Sequence, residues 1–374
     1  MFSFLNKKIP KQYSFMGWLK GLISSQIKKW FFKFATILYP WLYINSEKPP
    51  KGKMLIISEV GGLGDAILFR RVIEGIKNNY DIYLLTKNYH YPIYQDILME
   101  NKLIKIDSLI NFFKISKKLS AENFDLLLLH ELSIVSFLIV FLYFRKIPFK
   151  IGLFADQGKD FLNKSFNAHD FKNVLEAYSN LSSYLNSQYK LYSFEKYQNF
   201  PKTNQLLIHI GSNSLCKNWR INNFIKLFRM LDKSNIKYKI IGSNSDFKIL
   251  EKFLKEFKTK TQTIKSFEEL AKETAKSELV LCHNTSILHL AFTLKIKTIS
   301  LNSKGNHDWW NPYKDFSDQH HFAFKASDKE CGYGQHIKTL LMEKGEYGCS
   351  LFDSIKPKEV FDIIQKMINQ SSSQ

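Results

Sequence analysis

Residues 54–76 read MLIISEVGGLGDAILFRRVIEGI. The apolar run Met54 to Ile57 has the length and character of a buried strand. It leads into Glu59-Val60-Gly61-Gly62-Leu63-Gly64-Asp65, where three glycines let the backbone come close to a ligand. Ala66, Phe69, Val72, Ile73 and Ile76 then recur at helical spacing, so a helix comes next with one apolar side turned inward. Strand, glycine loop and helix in that order open a parallel α/β domain. The helix points its free amides and positive dipole end at the loop, a place suited to an anion or a polar sugar.

The same rhythm continues outward. Asp81 to Thr86 (DIYLLT) and Phe124 to Leu129 (FDLLLL) read as further strands. Residues 126–144 are nearly long enough and apolar enough to span a bilayer, but His130, Glu131 and Ser133 interrupt them, and a strand followed by a helix accounts for them. The pattern restarts near residue 203. Gln205 to Ile210 is a strand ending at Gly211-Ser212, Asn222 to Leu231 a helix begun by Asn caps, and Ile236 to Ile241 a strand ending at Gly242. Glu278 to Cys282 leads into His283-Asn284-Thr285-Ser286 and a helix, and Lys297 to Leu301 closes the sheet. The expected organisation is a basic amphipathic extension over 1–48, a first α/β domain over 49–202 and a second α/β domain over 203–374. Ligands of such sheets bind beyond the carboxyl ends of the strands, in a cleft between the domains.

Composition narrows the partners. Lys and Arg number 54 against 34 acids, a net charge of +20, so an anionic partner is implied. The excess is mostly Lys, which suits diffuse attraction to a charged surface better than base reading, where Arg dominates; nucleic acid is therefore disfavoured. In residues 15–34, Phe15, Trp18, Leu19, Leu22, Ile23, Ile27, Trp30, Phe31 and Phe34 form an apolar side, with Lys20, Lys28, Lys29 and Lys33 interspersed. No acid precedes Glu47, which points to a helix lying on an anionic membrane surface. The same lysines break the apolar stretch and argue against a cleavable signal peptide. Four cysteines without a CxxC pair fit a reducing compartment.

Candidate chemistry gathers at the strand ends. Asp65 reads either as a helix-terminal cap or as a general base that removes a proton from an acceptor hydroxyl. Lys217 reads as a solvated loop lysine or as a charge offsetting a departing diphosphate. The backbone amides and hydroxyls at Asn284, Thr285 and Ser286, with His289 one turn on, form a capping segment or a diphosphate site. Neither a dinucleotide glycine fingerprint nor a P-loop occurs, and no D-x-D triplet offers a metal-bridged diphosphate site.

Together these pieces resemble glycosyltransferase family 9, the bacterial heptosyltransferases of the lipopolysaccharide core, over roughly residues 53–368. Gly64-Asp65 is similar to the Gly-Asp pair that opens the family's first long helix. Lys217-Asn218-Trp219 is similar to its Lys-x-Trp segment, with Arg220 where Pro is usual. Gly242 and Asp246 are similar to its glycine turn and acid beside the donor nucleoside, and NTSILHLA over 284–291 to its D-T-G-x-x-H-x-A motif. At 284 Asn keeps hydrogen bonding and loses charge; at 286 Ser adds bulk. The tail, with Asp308-Trp309-Trp310-Asn311-Pro312, Cys331, Cys349 and the run 355–360, is also family-like.

The resemblance implies two facing Rossmann-like domains of the GT-B type and an inverting, metal-independent transferase without a cofactor. Asp65 would be its base. Gly61, Gly62 and Gly64 would form an acceptor-side glycine loop, and Gly211, Ser212, Lys217, Gly242, Asp246, Asn284, Thr285, Ser286 and His289 would bind the donor, most simply ADP-heptose. The acceptor would be a membrane-anchored lipid-linked sugar, met at the cytoplasmic face of the inner membrane. The changes at 284 and 286 leave a second reading, a lapsed sugar-nucleotide binder or scaffold.

Overall fold

The computed structural model describes residues 48–369 except 60, 132, 155–160, 213–216, 245, 248–250, 252, 304–308, 310–312, 314–320 and 327–347. The amphipathic stretch 15–34, Cys216, Cys331 and most of the 308–312 run therefore lie outside the described residues.

Among the described residues, twelve strands make two six-stranded sheets whose pairings are all parallel. The first holds β1 (Gly52–Ser58), β2 (Tyr80–Lys87), β3 (Leu103–Ile106), β4 (Leu126–Leu129), β5 (Phe149–Leu153) and β6 (Lys164–Phe166), in the order β3-β2-β1-β4-β5-β6. The second holds β7 (Leu206–His209), β8 (Tyr238–Gly242), β9 (Thr261–Thr263), β10 (Leu279–His283), β11 (Lys297–Asn302) and β12 (His321–Lys325), in the order β12-β11-β10-β7-β8-β9. Each repeats the doubly wound order, whose central pair is β1 and β4 in one and β7 and β10 in the other. The central strands read as solid apolar runs because helices cover both of their faces. β1 and β4 register Ile57 against Leu129, which sets the residues just beyond them side by side.

Residues 126–144 are a strand and a helix, as read: β4, then Ile134–Ile139 continuing through a π-helical stretch, Val140–Phe144. Among the described residues no helix is long and apolar enough to cross a membrane. Two expectations need correction. Lys297 to Leu301 does not close the second sheet, because β12 pairs outside it. The helix after Arg220 is not capped by Asn: it spans Ile221–Lys233 with Arg220 at the cap, and Asn222 and Asn223 lie in its first turn. The Asn223 amide reaches instead toward Asp353 at 3.5 Å, where the chain returns to cover this helix.

Three apolar clusters hold the layers. One joins both domains, from β1 and helix α1 (Leu63–Ile76) to the Ser286–Thr293 helix and Tyr313. A second lies within the second domain beneath Ile221–Lys233 and the final helix Pro357–Asn369. The third, from Leu55 to Leu162, belongs to the first domain alone and lies under helix α2 (Leu109–Leu119) and the 134–144 helix. The segment joining the domains is tied to α1. Arg70, 2% exposed, pairs with Glu74 and Asp96, donates to Ser193 Oγ at 2.8 Å, and lies 4.2 Å from the centre of the Phe194 ring. A buried cation this fully partnered makes the linker's path specific.

Candidate active site

The site grows from strand ends. After β1 the chain turns through Gly61, whose φ of +85° is left-handed and strained for any other residue. Gly62 takes the N-cap position of α1. Asp65 is therefore the third helical residue rather than the cap, and its carboxylate accepts the Gly62 N–H at 2.5 Å. Gly64 has a different reason to be glycine. A side chain there would start 2.8 Å from His289 Cδ2 and 3.5 Å from Ser286 Cα, so the two domains meet at this point with no room for a methyl group.

Across that meeting, β10 ends at His283 and Thr285 caps helix α3 (Ser286–Thr293) without a side-chain hydrogen bond to its free amides. The Leu288 amide donates to the Thr285 carbonyl at 3.0 Å, while the dipole end of a helix start without a capping side chain faces outward, where it favours an anion. His289, 4% exposed, exchanges a 2.6 Å hydrogen bond with Tyr313 and lies at the seam. Burial, with the charges of Arg71 and Lys217, pushes its pKa down to about 3, so it is a neutral ring.

Asp65 and Lys217 come from different domains and act on each other electrostatically. Burial raises the Asp65 pKa, while the N–H groups of Gly62 and Asp65 and the Lys217 charge pull it back. Burial lowers the Lys217 pKa and the Asp65 charge opposes that. Trp219 anchors the loop that carries Lys217. Its side chain is fully buried, its backbone N–H donates to His283 Nε2 at 2.8 Å, and its indole N–H donates to the Ile355 carbonyl at 3.1 Å. Burial keeps His283 neutral, with its pKa pushed to about 3. Because Nε2 accepts, its proton sits on Nδ1.

The β7 and β8 ends carry Gly211 and Gly242. A Cβ at Gly211 would lie 2.4 Å from Asp246 Oδ2, so glycine here makes room for that carboxylate. Asp246 in turn accepts from Ser243 N at 2.8 Å and Ser243 Oγ at 2.6 Å. Ser212 comes directly after Gly211 at the same strand end and Asn284 directly after β10, so the donor-side residues border one edge of the second sheet.

Three charged residues at this end of the first sheet escaped the sequence reading. Glu59 and Glu131 leave the adjacent ends of β1 and β4, and Lys87 ends β2. Ser133 Oγ donates to Glu59. Burial, then the negative charges of Asp65 and Glu59, push the Glu131 pKa up to about 7, against the pull of Lys87. His90 is fully buried; burial and the Lys87 charge lower its pKa to about 4, against the Gly62 backbone, which pulls it up. Behind them His130 stacks on Phe69 at 4.0 Å between Ser58 Oγ and Tyr178 OH, each at 2.8 Å, and is a structural ring. Among the described residues no group of three or more His, Cys, Asp or Glu is placed to hold a metal ion.

Glu131 gives a test of this electrostatic picture. Its native pKa lies above its unfolded value, so its contribution to stability is fully present below pH 4.5 and is lost as pH rises through about 7. Glu131→Gln removes that loss. Relative to the parent chain, the variant is expected to gain about 1–3 kcal/mol between pH 5 and pH 8, read from denaturant unfolding at both values. An equal difference at the two pH values would refute the assignment.

The family model for glycosyltransferase family 9 (heptosyltransferase) matches residues 112–333, more than half the chain. That span includes Lys217, Gly242, Asp246 and 284–289 and begins after the Gly61 to Asp65 turn. No curated protein matches the sequence. Among solved structures, the fold is similar to a glycosyl transferase family 9 protein from Veillonella parvula DSM 2008, with TM-score 0.64 and 16% identity over 85% of this chain and 98% of that one. It is equally similar to the E. coli ADP-heptose lps heptosyltransferase II, at 0.64 and 16% over 86% and 99%. E. coli heptosyltransferase WaaC with ADP comes next at 0.56 and 16% over 78% and 98%. With two doubly wound domains meeting at Gly64 and the family pattern spread across both, the chain belongs to glycosyltransferase family 9, the heptosyltransferase family.

Proposed function

We propose that the protein is an inverting, metal-independent transferase that moves a heptose from ADP-heptose to a lipid-linked sugar of the lipopolysaccharide core, at the inner face of the cytoplasmic membrane. The observation that carries this reading is the meeting of Asp65 and Lys217 across the seam where Gly64 touches the start of α3. A base on one domain and an anion site on the other are what a displacement at an anomeric carbon requires.

The acceptor O–H gives its proton to the Asp65 carboxylate as its oxygen bonds to the anomeric carbon. The bond from that carbon to the diphosphate oxygen breaks on the opposite side, inverting the centre. Lys217 and the uncapped amides of α3 take up the charge of the leaving ADP. Glu131, held toward its protonated form by burial and by the charges of Asp65 and Glu59, would serve beside Asp65 as a hydrogen-bond donor. Residues 15–34 would hold the enzyme on the bilayer, and the chain would need no cofactor.

Lys217→Ala is expected to weaken ADP binding about tenfold or more, the contribution of one charge-assisted hydrogen bond, in calorimetric titrations with ADP, UDP, GDP and CMP. Preference for UDP or GDP would leave the fold and change the donor. Tight donor binding without turnover on any core acceptor would favour the lapsed binder that Asn284 and Ser286 suggest. Lack of any nucleotide binding would overturn the transferase and leave the scaffold.

A further inference from the structure

The first domain carries an apolar surface that the second domain does not use. The cluster under α2 and the 134–144 helix draws all its residues from the first domain, whereas the cluster on the other side of the same sheet runs through both. On α2, Phe112, Ser116 and Leu119 face the sheet. Leu109 and Ile110, in its first turn, lie past the sheet edge and are 54% and 70% exposed. On the neighbouring helix Leu142 is 52% exposed. The helices touch through Phe113 and Tyr143, whose rings are 6.2 Å apart and which are themselves only partly buried.

The charge around these residues is predominantly positive, with Asp107, just before α2, the exposed acid at its start. Lys114, Lys117 and Lys118 on α2, with Arg145 and Lys146 after the second helix, are exposed. Neither 108–121 nor 133–154 contains an acid. Glu122, the next acid along, is paired with Lys53. A protein partner would usually meet such a surface with carboxylates and a shaped pocket, while a bilayer needs only aliphatic side chains set among cations.

Position adds to the argument. β3 runs parallel to β1, and α2 starts just beyond its carboxyl end, the edge from which Glu59, Lys87 and Glu131 project. Leu109 and Ile110 thus stand on the rim of the candidate acceptor site.

We propose that the surface formed by α2 and the 134–144 helix docks on an anionic phospholipid bilayer, with Leu109, Ile110 and Leu142 entering the headgroup region and Lys114, Lys117 and Lys118 meeting lipid phosphates. This contact is additional to any made by residues 15–34, and it sets the orientation of the first domain against the membrane. It does not depend on the donor reading, because nucleotide titrations in solution test that separately.

The test is cosedimentation of the full-length protein with phosphatidylglycerol/phosphatidylethanolamine vesicles and with phosphatidylcholine vesicles. Leu109→Ser with Ile110→Ser is expected to weaken binding to the anionic vesicles about tenfold. Lys114→Glu with Lys117→Glu and Lys118→Glu is expected to weaken it at least about tenfold. A charge-matched control on the second domain, Lys226→Glu with Lys233→Glu and Lys237→Glu, is expected to change it less than about twofold. All the altered side chains are exposed, and unchanged thermal unfolding shows that the fold is kept. The proposal is overturned by absence of vesicle binding, by face variants that bind like the parent or no worse than the control, or by a dimer in vesicle-free solution that the face variants dissociate.

Discussion

Asp65→Asn is expected to lower kcat by about 10²–10⁴, the usual contribution of a positioned general base, with donor affinity unchanged. The change is nearly isosteric, and Asn can still accept the Gly62 N–H, so the first turn of α1 survives. The ability to take a proton disappears. The pH profile should report the same group. In the parent enzyme kcat/KM is expected to fall on the acid side as Asp65 is protonated, with burial putting that limb above the ordinary aspartate value of 3.8. A raised acid pKa also means that the folded state favours the neutral form. Stability contributed by this group is present below pH 3.8 and lost as pH rises through its native value. Asp65→Asn should therefore be more stable than the parent at pH 8 while nearly inactive. Full turnover in the variant would remove Asp65 from the mechanism.

Trp219→Ala is expected to give the largest loss of stability, about 3–5 kcal/mol, because it empties a fully buried aromatic site and strands the Ile355 carbonyl. The indole also packs edge-on against Phe224 at 4.9 Å between ring centres. Thermal unfolding reads the loss directly. Trp219→Phe keeps most of the volume and should lose less than half as much. Two residues away, Lys217 depends on this anchor for its place, so the Ala variant should also bind ADP more weakly at temperatures where it is folded. A variant as stable as the parent would show that the loop is held elsewhere.

The parts legible in the sequence were those where a single segment carries its own signal. β1, its glycines and α1 lie together in residues 52–76, and the apolar run, the missing side chains and the helical spacing agree there. The restart at β7 was visible for the same reason. Strands without a continuous apolar run were not. β3, β6, β9 and β12 have three to five residues with charged or hydroxyl side chains among them, and they exist because a neighbouring strand offers hydrogen bonds. β5 likewise carries Lys150 at its second position.

The site divides along the same line. Asp65, Lys217 and the 284–289 run belong to local patterns. Glu131 becomes a neighbour of Asp65 only through the register of β1 with β4, which no local pattern records. A faint signal did exist: in LLLLHE a carboxylate comes close behind a buried strand, at the end where ligands of parallel sheets bind. The need for glycine at 64 is likewise a property of the other domain, since His289 and Ser286 supply the obstruction.

The apolar cluster that runs from β1 to Tyr313 bears on how this protein could be recombined with its relatives. Two domains with separate interiors can be exchanged at their linker like modules. Here Phe267, Leu270, Ala271 and Leu288 share an interior with Met54, Phe69 and Tyr178. A chimera cut near residue 203 would bring together half-interiors shaped by different histories. A hybrid that keeps α1 with both the 267–276 helix and α3 from one parent would carry that interior across intact, so the natural unit of exchange here is a packed surface rather than a continuous stretch of chain.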